Sequence, residues 1–79
     1  MRVIGTHQRP GCNITLFHWN NKYLIKLEAG PFEQTFKIDE YDLQGDADLE
    51  KVLSDEFIGA AMTRFGEMSE SLSVALQKR

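Results

Sequence analysis

The sequence predicts an α+β fold: a four-stranded antiparallel β-meander followed by a short and a long α-helix packed on one sheet face. Three observations lead there. From residue 2 to residue 38, apolar and polar side chains alternate between turn-forming residues, which is the period of a half-buried strand. After Asp39 the apolar residues recur every three or four positions, the period of a helix. Charge divides at the same place. Residues 1–38 hold five basic and two acidic side chains, whereas residues 39–70 hold ten acidic and only two basic ones, Lys51 and Arg64. Halves of opposite charge favour docking against each other.

Turn chemistry delimits the strands. Arg9-Pro10-Gly11-Cys12 has the composition of a type II turn, with Pro presetting φ at the second position and Gly supplying positive φ at the third. Asn20-Asn21 suits a two-residue type I′ turn, because Asn tolerates left-handed φ better than most residues. Ala29-Gly30-Pro31 is the third break. Strands are therefore expected near 2–9, 12–19, 22–28 and 32–38.

A two-residue loop at Asn20-Asn21 also fixes the register of the central hairpin. Trp19 faces Lys22, His18 faces Tyr23, Phe17 faces Leu24, Leu16 faces Ile25 and Ile14 faces Leu27. The hairpin is then apolar on both sides. One face holds Ile14, Leu16, His18, Tyr23, Ile25 and Leu27; the other holds Thr15, Phe17, Trp19, Leu24 and Lys26. Carried through Pro10-Gly11, the same alternation puts Val3, Gly5 and His7 on the first face and Ile4 and Thr6 on the second. The fourth strand adds Phe32, Phe36 and Ile38 to the first face and turns Glu33, Thr35 and Lys37 to the other. The first face is the expected core. The second is a mixed surface with Ile4, Phe17, Trp19 and Leu24 as an apolar patch at its centre.

In the second half, Leu49, Leu53, Phe57, Ala61, Phe65, Met68, Leu72 and Leu76 form a broad apolar stripe. Asp46 or Asp48 can open the first turn, where acidic side chains suit the positive pole of the helix. Ser54-Asp55-Glu56 reads as a second N-cap, so a short helix near 47–53 and a long one near 55–77 are expected, with one unbroken helix as the alternative. Lys78 and Arg79 complement the negative pole. At ~1.5 Å per residue the long helix reaches about 35 Å, whereas a seven-residue strand spans about 23 Å. The helix must overhang the sheet. Ile58, Met62, Phe65, Ser69, Leu72 and Leu76 also alternate four and three apart, as at a helix–helix seam.

Size and charge narrow the function classes. A 79-residue chain of net charge −3 forms one domain with a thin margin of stability, since a domain this small buries only about 60% of its unfolded surface. Its single cysteine, Cys12, excludes an internal disulfide and fits a reducing compartment. The N-terminal MRVIGTHQRPG lacks the apolar run of a secretory signal, and no segment approaches a membrane span, so a cytoplasmic location without membrane contact is expected. The acidic helical half disfavours a phosphate backbone, so no nucleic acid is expected as partner.

No motif specifies a reaction. His7, Cys12 and His18 share the first face by parity, but their spacing is not the close pair from which a zinc site is built; no metal or other cofactor is expected. Cys12 and His7 flank one turn, yet no base-orienting carboxylate or oxyanion donor completes a nucleophilic pair, so no catalytic residue is assigned. DEYDLQGDADLE, residues 39–50, lacks the glycine an EF-hand needs at its sixth position and reads as a solvated loop capping a helix. Neither glycine-rich phosphate-loop pattern occurs. Phe17, Trp19 and Leu24, with Arg2, Lys22 and Lys26 around them, have the makings of a stacking platform for single-stranded nucleic acid or carbohydrate, but the acidic balance opposes it.

The second sheet face is what remains. Contiguous apolar patches on small proteins mark contacts, and two-fold symmetry is the commonest way for such a patch to cover itself. The expectation is a non-catalytic homodimeric interaction or adaptor module. Its contact is the face bearing Ile4, Phe17, Trp19 and Leu24, or the overhanging helix; another protein partner would use the same surfaces. The alternative is a small ligand-binding or enzymatic domain with a pocket between sheet and helix near His7, Cys12, His18 and Tyr23.

Overall fold

Three tight turns set the sheet. Gly11 takes φ +78° after Pro10, and Asn20 and Asn21 take +54° and +63°, the left-handed pair that a type I′ turn requires. Gly30, at φ +59°, precedes Pro31 in the third turn. In the computed structural model, which describes residues 1–79, these turns join β1 (Arg2–Arg9), β2 (Cys12–Trp19), β3 (Lys22–Ala29) and β4 (Phe32–Asp39). The strands form one antiparallel sheet in the order β1-β2-β3-β4. The central register is the expected one: Trp19 pairs with Lys22, Phe17 with Leu24, and Ile14 with Leu27.

The first strand departs from simple alternation. Val3 pairs with Phe17 and Gly5 with Leu16, so a β-bulge places Ile4 as an extra residue between them. One inserted residue reverses parity on its far side. Val3 therefore joins the second face rather than the first, and Ile4 packs against the core cluster instead of the second-face patch. Beyond the bulge, His7 pairs with Ile14 and lies on the first face as expected.

Two helices cover that first face. After a 3-10 turn at Glu40–Asp42 come α1 (Asp46–Val52) and α2 (Asp55–Gln77). The break between them follows from capping: the Ser54 hydroxyl accepts the Phe57 N–H at 3.1 Å and starts α2 afresh. Ile14, Leu16, Ile25 and Leu27 from the sheet are enclosed by Leu49 of α1, Leu53, and Ile58, Ala61 and Phe65 of α2. Gln34 on β4 locks the helix down. Its Nε2 donates to the Ala61 carbonyl at 2.9 Å, while its Oε1 accepts from Arg64 Nε at 2.9 Å. Beside it, the Phe36 and Phe57 rings meet at 5.1 Å.

The second half of α2 leaves the sheet. Every residue from Ser69 onward is exposed, including Leu72 and Leu76, and the molecule is 46 Å long against 25 and 18 Å in the other directions. The seam-like spacing thus splits in two. Ile58 and Phe65 are spent on the sheet, and Leu72 and Leu76 project beyond it.

Candidate functional site

Cross-strand pairing arranges the second sheet face in rows. Val3, Phe17, Leu24 and Lys37 form one continuous row across all four strands, and Trp19, Lys22 and Asp39 form the next. Neither α1 nor α2 covers this side. Trp19 is 50% exposed and Val3 57%, while Phe17 is half-buried. Leu24 is different: at 8% exposure it is already shielded. Met1, Phe17, Lys26, Glu33 and Thr35 line, together with Leu24, a shallow depression of about 230 Å³. Of the four residues expected at the contact, the structure keeps Phe17 and Trp19 accessible on this face, leaves Leu24 buried, and moves Ile4 to the core side. Val3 takes the position expected of Ile4.

The cations around this patch are mostly engaged. Lys22 Nζ lies 3.7 Å from Asp39, and Lys26 Nζ lies 3.6 Å from Glu33. Arg2 turns to the other side of the sheet, where its guanidinium donates to both carboxylate oxygens of Asp46. Lys37, at the β4 end of the Phe17 row, makes no ion pair, so a single unpaired cation stands on this face to track a phosphate backbone.

The polar groups of the first face form a seam between the sheet and the segment 40–50. His18 Nε2 lies 2.8 Å from Glu40 Oε2 and stacks edge-on against Tyr23, whose hydroxyl donates to Asp46 Oδ1 at 3.3 Å. The hydrogen bond from Arg2 holds the Asp46 carboxyl below its usual range, and Asp46 in turn raises the guanidinium. Burial, with Asp46 nearby, pushes the Tyr23 phenol up. His7 Nε2 is shielded and has Glu50 Oε2 at 2.7 Å, out of line for a hydrogen bond. A Cβ at Gly5 would meet Glu50 Oε1 at 3.5 Å, an ordinary van der Waals contact, so the carboxylate's place does not depend on a glycine there.

Cys12 stands apart from this seam. Its Sγ approaches the Asn13 carbonyl at 3.8 Å, and burial raises its thiol pKa, the opposite of what activates a nucleophile. His7 is turned to Glu50 and not to Cys12. No three His, Cys, Asp or Glu side chains converge as metal ligands. The largest concavity, about 640 Å³, is open and mostly polar, lined by Thr6, His7, Gln8, Asn13, Ile14, Thr15 and Glu28; of the groups expected around a pocket between sheet and helix it takes in His7 but not Cys12, His18 or Tyr23. No helix is long and apolar enough to cross a membrane. No known family model matches the chain, and no curated protein or solved structure matches it either.

Proposed function

We propose that the chain is a small non-catalytic interaction module that self-associates through the second face of its sheet. The observation that carries this reading is the apolar row Val3–Phe17–Leu24 with Trp19 beside it, exposed at Val3 and Trp19 while both helices lie on the opposite side. A contiguous exposed apolar patch marks a contact, and Trp is among the residues enriched at binding hot spots. The polar groups available for a ligand site favour the same conclusion. His18 and Tyr23 each hydrogen-bond a carboxylate of segment 40–50 and so fasten that segment to the sheet, while His7 lies against the Glu50 carboxylate without a hydrogen bond.

Sedimentation equilibrium at micromolar concentration tests the proposal, with Trp19→Ser as the comparison. The parent is expected to exceed monomer mass, and the variant to shift toward monomer with its far-UV circular dichroism unchanged. A parent that sediments as a monomer throughout refutes self-association.

A further inference from the structure

The sheet has two edges, and they differ. β1 is interrupted by the bulge at Ile4, a device that blunts edges against pairing. β4 has none: it pairs with β3 residue for residue from Ala29–Phe32 to Lys22–Asp39. Because Phe32 closes the two-residue turn, the even-numbered residues of β4 hydrogen-bond to β3, and the Glu40 N–H continues that parity to the Asn21 carbonyl at 3.2 Å. The N–H and C=O groups of Glu33, Thr35 and Lys37 therefore point away from the sheet. All three side chains are exposed.

We infer that this edge pairs antiparallel with β4 of a second copy, about a two-fold axis at Thr35, to give one continuous eight-stranded sheet. Register decides the occupant. An axis at Glu33 or Lys37 opposes like charges, one at Phe36 sets Glu33 against Asp39, and one at Gln34 sets it against Thr35. Only the axis at Thr35 faces Glu33 with Lys37 of the second copy, and it does so twice, with Thr35 opposite itself. Lys37 makes no ion pair within its own chain, although Lys22 and Lys26 beside it do. A charged edge residue also deters foreign strands; here it selects a strand with an acid at the mirrored position, as β4 itself has. Phe32, Phe36 and Ile38, on the helix side of this edge, are only half-buried and gain cover from the same contact.

The inference rests on the self-association proposed above but not on the aromatic face, which edge pairing leaves open. Lys37→Glu is exposed and disturbs no intramolecular pair, so it should fold as the parent does. It opposes Glu33 with a like charge at both positions. The dissociation constant should rise at least about tenfold, or ~1.4 kcal/mol, in sedimentation equilibrium at low salt. The exchange variant Glu33→Lys/Lys37→Glu should recover at least about tenfold relative to Glu33→Lys alone, a comparison in which the intramolecular Lys26–Glu33 pair is lost from both. An unchanged dissociation constant in Lys37→Glu, or no recovery in the exchange variant, overturns edge pairing. If Trp19→Ser alone dissociates the protein, self-association stands and the edge inference falls; a monomeric parent removes both.

Discussion

Replacing Phe65 by Ala and, separately, Trp19 by Ser tests which sheet face is the core. Phe65 is 5% exposed and packs in the cluster that joins α2 to Ile14, Leu16, Ile25 and Leu27. Removing a buried Phe side chain costs about 3–5 kcal/mol, through lost transfer energy and the cavity left behind. At roughly 0.05–0.15 kcal/mol per residue, the whole domain is worth about 4–12 kcal/mol. The Phe65 variant therefore loses between a quarter and all of its stability. With a urea dependence near 1 kcal/mol per molar for so small a chain, its midpoint should fall by about 3 M or more. Trp19 is half exposed and outside the core cluster, so its replacement should cost under about 1 kcal/mol in the monomer. Urea titrations followed by far-UV circular dichroism suit both variants, because Trp19 is the sole tryptophan and fluorescence is lost with it. Protein concentration must stay low and equal, since association adds its own stabilisation. Equal losses in the two variants would refute the assignment of faces.

Three further outcomes follow from particular contacts. Ile4→Ala should cost roughly 1–2 kcal/mol, about half the value for a fully buried Ile, whereas Val3→Ala should be near neutral; the reverse order in thermal unfolding would remove the bulge. Asp46, with its pKa lowered by Arg2, contributes stability that is full above the unfolded value of about 3.9 and is lost as pH falls through the lower folded value. Asp46→Asn should thus be less stable than the parent at pH 7, with the gap closing below about pH 4; a gap equally wide at pH 2.5 would place its origin outside the ion pair. Cys12, buried and with its thiol pKa raised, should be alkylated by iodoacetamide far more slowly in the native protein than in urea, as mass spectrometry would show; equal rates would mean the β1–β2 turn is open.

Most of the fold was legible because its punctuation is local. Pro10-Gly11, Asn20-Asn21 and Gly30-Pro31 each demand a particular φ, and two-residue loops then dictate register without reference to the rest of the chain. Ser54 marked the helix break by the same kind of local chemistry. The bulge was harder. RVIGTHQR alternates acceptably in either parity, and its only signal is Gly5, an isolated glycine inside a strand. Missing it displaced Ile4 and Val3 together. The polar seam was not legible, since which carboxylate meets His7, His18 or Tyr23 depends on how residues 40–50 lie across the sheet. The shielding of Leu24, on a face that neither helix covers, is likewise not encoded in the pairing pattern.

Edge and face make separable demands on a second copy. A two-fold axis through Thr35, perpendicular to the sheet, puts both second faces on the same side of the joined sheet, so each Trp19 stays uncovered. The face contact needs a different axis. Trp19 on β2 and Lys37 on β4 are separated by β3, about 10 Å at ~4.8 Å per strand, far enough for independent effects. If both contacts operate, the free energies lost in Trp19→Ser and Lys37→Glu should add in the double variant within about 0.5 kcal/mol, and each single variant should retain the association carried by the other contact. If only one operates, the double variant will match one of the singles, and which single it matches identifies the contact.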